Sequence, residues 1–433
     1  MKFKVVTLGC KVNSYESEAI INDLINKGYT YSPNGDVDVI IINTCTVTQT
    51  SDQKSRQTIR REKTKNPNAI VVAMGCYAQL SSVDASSIAD VVIGTHNRSK
   101  IAEIIDSYVN SKLEINNLVT NIFDVTCYEE LKVSSLLTHT RGFIKIQDGC
   151  ENYCSYCAIP FARGKIRSRK VSDVIDEINR LTSSGTKEII ISGINTGTYG
   201  KDLGNINLAG LIERIMEETT LYRLRVSSIE LMEVSDELID VFSKYPDRIA
   251  HHFHIPLQGG CDSVLTRMNR KYLTNDYLNL INKIRERFPD VAITTDLLAG
   301  FVGETSEEFE ECIEFIQKIG FSAMHIFPYS RRINTAADNM SGHLDPKIKN
   351  ERTHILLDIA NKMKNEYEQK FIGKTFDIIT EQVKNGYYIG HTSNYLEVYV
   401  KDDGTLKDNM IVKVKIVKID NNKIYAIKED NNE

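Results

Sequence analysis

The chain has 433 residues, of which 41% are hydrophobic and 26% are charged, as is ordinary for a globular protein. Its 53 basic and 58 acidic side chains give a net charge of −5, whereas most nucleic-acid-binding proteins are basic. The sequence has no apolar run of about 18 residues or more, and its N-terminal apolar segment is too short for a signal peptide. We therefore expect a cytoplasmic protein that does not enter a membrane.

The first part of the chain alternates short apolar runs with helical patterns. The segments FKVVTLG, DVIIINT, AIVVAMG and DVVIG indicate strands, and helices are predicted over about 14–27, 49–65 and 98–108. This alternation predicts an α/β domain with a doubly wound parallel sheet. We assign residues 1–112 to this domain and residues 113–138, which carry no strong pattern, to a connector.

Three cysteines occupy equivalent places in this pattern. Cys10, Cys45 and Cys76 each follow one of the first three predicted strands. Because the carboxyl ends of parallel strands line one crevice, we expect the three thiols to lie close together there. Gly9 and Gly75 precede two of them and allow a bulky ligand to approach the backbone. This arrangement predicts an iron–sulfur cluster with one open iron, and the alternative is ordinary buried cysteines.

A second set of cysteines has a short and specific spacing. Cys150, Cys154 and Cys157 form a CxxxCxxC motif in GCENYCSYC, with Tyr156 before the last cysteine. Three thiolates can hold three irons of a 4Fe–4S cluster and leave the fourth iron open. A zinc site, which prefers CxxC pairs and four ligands, is the weaker alternative, as are three unrelated buried thiols. The motif resembles that of the radical S-adenosylmethionine superfamily, in which S-adenosylmethionine binds the open iron.

The remaining chain contains two further patterns. From residue 139 to about 370, six strand–helix units are predicted, which are too few for a closed eight-stranded barrel and indicate a partial, open (β/α)6 barrel. Its strands lie in RGFIKIQDG, EIIISG, RLRVSS, IAHHFHIPL, VAITTDLLAG and SAMHIFPYS, and a long helix over about 346–369 ends it. Residues 371–433 alternate apolar and polar positions, which predicts a small antiparallel β-barrel of OB-like type, an architecture often used on RNA.

Two short runs are rich in basic residues. Residues 54–65 carry six basic residues and one acid, as a solvated helix face would. The run RGKIRSRK over residues 163–170 begins six residues after Cys157 and contains no acid. A cationic rim beside a reactive centre suits a polyanionic substrate. We therefore predict contacts to RNA phosphates from the first four basic residues of this run, Arg163, Lys165, Arg167 and Arg169.

Several longer motifs point to one family. The segments TLGCKVNSYESE, INTCTVT, AMGCYAQ, HTRGFIKIQDGCENYCSYCAIPFARGKIRSR and HFHIPLQGGCDSVLTRMNRKY resemble the methylthiotransferases of the radical S-adenosylmethionine superfamily. The resemblance covers an N-terminal methylthiotransferase domain, a radical domain and a C-terminal TRAM domain. LGCKVN is most similar to the MtaB branch, which converts N6-threonylcarbamoyladenosine, 3′ of the tRNA anticodon, to its 2-methylthio derivative. One departure is Ile333–Asn334, where the family usually has Pro-Gly.

The resemblance implies a set of cofactors and contacts. Carbon 2 of adenine is an unactivated C–H position, so cofactors must carry the difficult chemistry. The family implies two 4Fe–4S clusters, two S-adenosylmethionine molecules per turnover, and a low-potential electron donor such as flavodoxin or ferredoxin. The residues that could contact S-adenosylmethionine, or could instead be caps and turns, are Tyr156, Ser192, Gly193, Asn195, Ser228, Glu230 and Gln258.

The choice of substrate has a chemical signature. A threonylcarbamoyl group carries a carboxylate, so its pocket needs a cation or several hydrogen-bond donors. Lys11, Asn13, Arg331 and Arg332 are candidates for this role in the tRNA anticodon stem-loop complex. Two alternatives remain open. One is a sibling methylthiotransferase that acts on isopentenyladenosine in tRNA or on an aspartate of a ribosomal protein, and the other is a non-catalytic iron–sulfur protein that binds RNA.

Overall fold

A computed structural model of the chain describes residues 1–111, 117–134, 136 and 140–429. It contains an α/β unit, a partial barrel and a small closed β-barrel, in that order along the chain. The predicted fold class is therefore confirmed. The predicted domain boundaries at 112–113 and 138–139 lie outside the described residues and stay predictions.

The N-terminal unit is built on a five-stranded parallel sheet with the order β2-β1-β3-β4-β5. Its strands are β1 (Lys2–Thr7), β2 (Thr30–Tyr31), β3 (Val39–Thr44), β4 (Ile70–Gly75) and β5 (Val91–Val92). Its helices are α1 (Lys11–Asn26), α2 (Gln49–Lys65), α3 (Cys76–Leu80), α4 (Ser82–Ser86) and α5 (Ile101–Ser111). Every residue of β3 is buried, because helices cover both faces of the sheet. The strand order reverses between β1 and β3, and ligands bind at such a switch point.

Six parallel strands form the partial barrel. The strands of this unit are β6 (Gly142–Asp148), β7 (Arg167–Ser168), β8 (Glu188–Gly193), β9 (Arg223–Val226), β10 (His252–His254), β11 (Ala292–Ala299) and β12 (Ala323–Pro328). Its helices are α6 (Ile159–Arg163), α7 (Val171–Ser183), α8 (Leu208–Glu218), α9 (Asp236–Lys244), α10 (Asp262–Arg267), α11 (Thr274–Arg287), α12 (Ser306–Ile319) and α13 (Pro346–Gln369). Isolated bridges join β9 to the chain around β10. The short β7 pairs antiparallel with β6 and was not predicted.

The C-terminal unit is a closed barrel in which the strand order is β13-β14-β15-β17-β16. Its strands are β13 (Thr375–Lys384), β14 (Tyr387–His391), β15 (Glu397–Lys401), β16 (Ile411–Asp420) and β17 (Lys423–Lys428). All neighbours are antiparallel except β15 and β17, which run parallel. Closure leaves no unpaired strand edge. The predicted small barrel is confirmed.

Side chains tie the three units together. Tyr15 of α1 packs in the core of the partial barrel, and its hydroxyl donates to the carbonyl of Leu131 at 2.5 Å. On the other side, Arg223 and Arg225 of β9 donate to the carbonyls of His391 and Thr392, both at 3.0 Å. The N-terminal sheet and the small barrel therefore hold fixed positions on the partial barrel. Within the described residues, no helix is both long and apolar enough to cross a membrane.

Candidate active site

Cys10, Cys45 and Cys76 lie together at the carboxyl end of the N-terminal sheet. Cys10 precedes α1, Cys45 follows β3, and Cys76 begins α3 directly after β4. A Cβ atom at Gly9, where φ is 109°, would lie 2.9 Å from the Cβ of Cys45, so the loop before Cys10 packs directly on Cys45. Burial raises the pKa of the Cys45 and Cys76 thiols, the latter to about 12, and the neighbouring Cys10 adds to both shifts. The tertiary structure thus brings together three thiols that are far apart in sequence.

The CxxxCxxC loop follows β6 at the mouth of the partial barrel. Backbone hydrogen bonds hold the shape of this loop. Cys157 N donates to Cys154 O at 3.0 Å, and Cys150 N donates to Gly164 O at 3.0 Å. Ser155 anchors the loop on the end of α10, where its hydroxyl donates to the carbonyl of Arg267 at 2.8 Å. Burial raises the pKa of Cys150 to about 11 and that of Cys157 to about 12.

One buried arginine contacts each cysteine set. Arg163 Nε donates to Cys76 Sγ at 3.1 Å, and Arg270 Nη1 donates to Cys154 Sγ at 3.2 Å. A guanidinium beside a thiol favours the thiolate, which is the form that binds iron. Burial keeps the metal-free thiols of Cys45, Cys76, Cys150 and Cys157 protonated, so cluster binding would release protons.

The donor chemistry of both sets fits 4Fe–4S clusters. No three His, Cys, Asp or Glu side chains of the described residues are grouped so that they could hold a single metal ion. A cubane cluster does not need such a group, because each cysteine binds a different iron. Thiolates are also the preferred ligands of iron–sulfur clusters, and each set supplies three.

The predicted cofactor residues fall into two groups. Asn195 points to an occupant, because it is buried and both polar atoms of its side chain lack a partner among the described residues. Glu230 accepts from Arg270, the arginine that contacts Cys154, and so lies beside the CxxxCxxC loop. Tyr156 stacks edge-on against Phe301, with ring centroids 6.3 Å apart, also next to this loop. These three residues stay candidates for contacts to S-adenosylmethionine.

The other four predicted cofactor residues are placed mainly by the backbone. Ser192 is buried and its hydroxyl donates to the carbonyl of Ile144 at 3.4 Å. Gly193 lies against Gln147, since an added Cβ would be 2.9 Å from Oε1 of that residue. Ser228 is exposed and bridges to β10. Gln258 has a φ of 65°, and its backbone N–H donates to the backbone carbonyl of Asp296 at 2.9 Å.

The structure contradicts most of the predicted cationic rim. Arg163 and Arg169 are fully buried and Arg167 nearly so. Arg169 is held by Glu177 at 2.6 Å and by Glu130, while Arg167 donates to the carbonyls of Lys165 and Arg163. Guanidinium groups that are buried and paired in this way cannot contact phosphates. Only Lys165 of the four predicted residues is exposed.

The four residues predicted to bind the substrate carboxylate differ in burial and in hydrogen-bond partners. Asn13 is buried, and its amide nitrogen donates to Leu8 O at 2.7 Å and Thr44 O at 3.1 Å, so it braces the cysteine loops. Arg332 is buried and donates to Asp52 and to Thr46 of the N-terminal unit, both at 2.6 Å. Arg331 is exposed and pairs with Asp338. Asn13 therefore offers no free donor, whereas Arg332 is paired through both Nη atoms and keeps only a buried Nε without a partner among the described residues.

Lys11 keeps the properties of a donor. Its side chain reaches solvent, and its amine makes no ion pair within the described part of the chain. Burial of its surroundings lowers the pKa of the amine, and the positive charges of Arg225 and Arg141 lower it further. Asp296 acts in the opposite direction. Lys11 thus directs a cation from the N-terminal unit toward the barrel strands, one residue after Cys10.

The loop that departs from the family pattern has a simple local explanation. Asn334 has a φ of 67°, in the left-handed region that glycine favours and asparagine tolerates. Asparagine can therefore stand where the family usually has glycine. Ile333 beside it is 79% exposed, so its replacement of proline leaves an apolar side chain at the surface.

The charged residues that surround both cysteine sets were not predicted from the sequence. Arg270 lies within the motif HFHIPLQGGCDSVLTRMNRKY, but its contact with Cys154 exists only in the folded chain. Lys145 and Asp148 did carry a recognisable pattern, because they interrupt the apolar strand GFIKIQD, and both are buried. Glu16 and Arg98 are buried partners of these residues.

Two family models match the chain. Residues 144–316 match the "Radical SAM superfamily", and residues 2–94 match the "Uncharacterized protein family UPF0004". The first match covers the CxxxCxxC loop and strands β6 to β11, and the second covers Cys10, Cys45 and Cys76. The radical superfamily uses a 4Fe–4S cluster together with S-adenosylmethionine.

The chain is also similar to named proteins. It is 41% identical over 95% of its length to "Threonylcarbamoyladenosine tRNA methylthiotransferase MtaB" of Bacillus subtilis, and covers 93% of that protein. The protein of the same name from Thermotoga maritima is 38% identical over 92% of the chain, with 90% of the relative covered. A "tRNA-2-methylthio-N(6)-dimethylallyladenosine synthase" of Thermoanaerobacter sp. is 34% identical over 88% of the chain and 82% of the relative.

Among solved structures, the fold is similar to that of the radical S-adenosylmethionine methyltransferase TsrM from Kitasatospora setae. The TM-score is 0.55 at 14% identity, over 75% of this chain and 74% of that one. This likeness concerns the fold alone. Because the sequence similarity to the MtaB proteins extends over nearly the whole chain, this protein belongs to the MtaB group of the radical S-adenosylmethionine methylthiotransferases.

Proposed function

We propose that this protein converts N6-threonylcarbamoyladenosine, 3′ of the tRNA anticodon, to 2-methylthio-N6-threonylcarbamoyladenosine. The observation that carries the proposal is the pair of three-cysteine sets, each contacted by one buried arginine, in a chain 41% identical to an MtaB protein. A single set would suffice for a radical reaction. The second set is needed when sulfur must also be supplied to the product.

We assign one 4Fe–4S cluster to Cys150, Cys154 and Cys157 and a second to Cys10, Cys45 and Cys76. When bound, these clusters and S-adenosylmethionine supply the electron, the radical and the methylated sulfur, with two S-adenosylmethionine molecules used per turnover. An external low-potential donor such as flavodoxin or ferredoxin supplies the electrons.

The chain itself binds and orients the cofactor. The free amide of Asn195 offers both a donor and an acceptor at the end of β8, as a group with an amine and a carboxylate requires. Glu230, held by Arg270 beside Cys154, offers a carboxylate for an amine or a ribose hydroxyl. Tyr156 packs edge-on against Phe301 beside the loop and offers an aromatic face to the cofactor. The other four predicted residues contribute by shaping the backbone around the cofactor site, and they are Ser192, Gly193, Ser228 and Gln258.

Lys11 is our candidate for the carboxylate of the threonylcarbamoyl group. It is the one cation among the four predicted donors that is exposed and unpaired within the described residues. Its position next to Cys10 places this cation beside the sulfur-supplying centre. Arg331, exposed but paired with Asp338, lies at the loop after β12 and is better suited to contacts with the RNA chain.

The small C-terminal barrel offers a second contact surface for tRNA, which we call the tyrosine face. The half-buried rings of Tyr387, Tyr399 and Tyr425 lie on the adjacent strands β14, β15 and β17, with centroids 5.4 and 6.0 Å apart. Lys418 and Lys423 lie over two of these rings, at 5.1 and 5.4 Å from the centroids. Aromatic rings interleaved with cations bind unpaired bases and phosphates. Because the proposed substrate is a tRNA, we propose that the protein acts in the cytoplasm.

A second candidate substrate is dimethylallyladenosine in tRNA. The 34% identity to a synthase named for that modification supports it. A dimethylallyl group is wholly apolar, and a charged Lys11 against it would lose its hydration without gaining a partner. The unpaired Lys11 amine therefore favours the threonylcarbamoyl substrate.

The decisive experiment separates the two clusters. The reconstituted protein should hold about eight irons, since each set of three thiolates holds one 4Fe–4S cluster. Replacing Cys10, Cys45 and Cys76 by Ala should leave about four irons and preserve the reductive cleavage of S-adenosylmethionine to 5′-deoxyadenosine, but abolish methylthiolated tRNA. Methylthiolated product from this variant would contradict the assignment. Cys127→Ala, at an exposed cysteine outside both sets, is the control and should change neither quantity.

A further inference from the structure

A buried network of charges joins the N-terminal unit to the partial barrel. Each member lies within 4.0 Å of an oppositely charged partner, and the side chains are at most 7% exposed. We call this set the interdomain charge network, and its members are Glu16, Arg98, Glu129, Lys145, Asp148, Arg163 and Arg167.

The interdomain charge network contains one more cationic side chain than carboxylates. Its carboxylates are three, on Glu16, Glu129 and Asp148, and its cations are the four basic residues. His96 approaches Glu129, but burial lowers the pKa of that imidazole, which leaves it neutral at neutral pH. Burial likewise lowers the pKa of Lys145, whereas its contacts with two carboxylates favour the charged form. A buried excess of positive charge is costly, so a further anion is expected in the network.

Arg163 identifies the missing anion. Its Nη1 donates to Glu16 at 2.5 Å, and its Nη2 donates to Asn13 at 3.1 Å. Its Nε donates to Cys76 Sγ at 3.1 Å. Cys76 is one of the proposed iron ligands, so its sulfur, when it binds iron as a thiolate, would be the anion that balances the fourth cation.

The same arginine also connects the two cysteine sets. Arg163 ends α6, which begins two residues after Cys157, so its position is fixed by the CxxxCxxC loop. Asp148, a further partner of Arg163, accepts from the amide of Gly149 directly before Cys150, at 2.9 Å. A residue of one cysteine loop thus supplies a hydrogen bond to a sulfur of the other set.

We infer that Arg163 is the buried counter-charge of the cluster held by Cys10, Cys45 and Cys76, and that it raises the reduction potential of this cluster. The inference rests on the proposed second cluster. The reduced form of a cluster carries one more negative charge than the oxidised form, so a guanidinium at a ligand sulfur stabilises the reduced form more. Hydrogen bonds to sulfur are among the features that set cluster potentials.

The test is a redox titration followed by electron paramagnetic resonance. The full-length protein with Cys150→Ala, Cys154→Ala and Cys157→Ala serves as the parent, so that only the N-terminal cluster contributes. Adding Arg163→Gln should lower the midpoint potential by at least about 59 mV. For a one-electron couple, this shift equals about a tenfold change in the ratio of oxidised to reduced cluster at a given potential. Arg163→Lys keeps the charge but loses the Nε donor, so its shift should be in the same direction and smaller.

Arg98→Gln is the matched control. It removes one buried cation from the interdomain charge network, where Arg98 binds Glu16, Glu129 and Asp148 but no cysteine. Its potential should shift less than that of Arg163→Gln. Equal shifts in the two variants, at equal iron content, would overturn the inference. Should Arg163→Gln fail to fold, an unchanged potential in Arg163→Lys would overturn it as well.

The outcomes also distinguish this inference from the proposed function. A parent variant that binds no iron would refute the second cluster and the inference together. A parent with about four irons and no potential shift in either Arg163 variant would refute only the role of Arg163.

Discussion

At the scale of single residues, the partners of each cationic side chain decide its role. Arg163 and Arg270 contact cysteine sulfurs, and Arg332 joins the loop after β12 to the N-terminal unit. All three are buried or nearly so at their charged groups, and are therefore unavailable to a phosphate. Lys11 differs because the residue is exposed and its amine makes no ion pair within the described residues. The sequence run of basic residues does not reveal this difference.

Lys11→Gln should reduce kcat/KM for an anticodon stem-loop with threonylcarbamoyladenosine by roughly 10- to 100-fold. A hydrogen bond to a charged group contributes about 1.5–3 kcal/mol. Turnover of the isopentenyl stem-loop should not fall, because that group has no carboxylate. The control is Lys27→Gln, at a lysine that follows α1 and pairs with Asp23 at 3.2 Å. An equal loss on both stem-loops would remove Lys11 from the carboxylate pocket.

The lowered pKa of Lys11 also predicts a pH dependence. Burial and the charges of Arg225 and Arg141 favour the neutral amine, so Lys11 should lose its proton at a lower pH than an ordinary lysine. The preference for the threonylcarbamoyl substrate should therefore decline as pH rises through this lowered pKa. Lys11→Arg should keep the preference at high pH, because a guanidinium does not deprotonate there. Parallel profiles for the two proteins would contradict the prediction.

At the scale of elements, the carboxyl ends of parallel strands position both cysteine sets. β1, β3 and β4 are neighbours in the N-terminal sheet, so the residues that follow them converge although the chain between them is long. β6 carries the CxxxCxxC loop in the same way and then pairs with the short β7. This pairing turns the basic run inward, because Arg167 and Arg169 lie on and directly after a strand that is buried.

Arg169→Gln should change stability but not RNA binding, and Lys165→Gln should change RNA binding but not stability. Arg169→Gln leaves the buried Glu177 without its partner at 2.6 Å, and should lower the free energy of unfolding by about 3–5 kcal/mol in urea titrations. It should not change the salt dependence of tRNA binding at a temperature where the protein is folded. Lys165→Gln should leave stability unchanged and reduce the salt slope by about one phosphate contact. A reduced salt slope of tRNA binding in Arg169→Gln would show that Arg169 does contact phosphate, as the sequence predicted.

At the scale of the whole molecule, the small barrel and the N-terminal unit lie on the partial barrel through buried polar contacts. Arg225 of β9 donates to Thr392 O at 3.0 Å and lies over the ring of Tyr395, 5.3 Å from its centroid. These contacts fix the small barrel on one side of the molecule, while its tyrosine face remains half-exposed. In the proposed function, the tyrosine face would give the tRNA a second contact away from the two cysteine sets.

Replacing Tyr399 and Tyr425 by Ala should weaken tRNA binding by about 1–3 kcal/mol for each stacked base that is lost. Cleavage of S-adenosylmethionine without tRNA should not change, since the tyrosine face lies outside the partial barrel. Filter binding over a range of salt concentrations measures the effect. Lys423→Gln should lower the salt slope, whereas Lys347→Gln at the start of α13 should not. Unchanged affinity in the double tyrosine variant would show that the small barrel does not bind the RNA.

The amino-acid sequence alone determined those features that depend on local pattern. Period-two and helical patterns located all three units, and the CxxxCxxC spacing located one cysteine set, because its three thiols lie on one short loop. The ends of the predicted strands also identified Cys10, Cys45 and Cys76, since parallel strands have a known direction. The similarity to the MtaB proteins then supported the reaction.

Only the tertiary structure decided which charged side chains are free. Arg163, Arg167 and Arg169 have the composition of an RNA-binding run, yet all three are buried. Arg163 pairs with Glu16 of α1 and Arg169 with Glu130 of the connector, which are distant in sequence, while Arg167 donates to the nearby carbonyls of Lys165 and Arg163. Asn13 and Arg332 are committed to other loops in the same way. Burial and pairing depend on contacts between residues far apart in sequence, whereas charge and spacing do not. This is why the cysteines could be assigned from the sequence and the arginines could not.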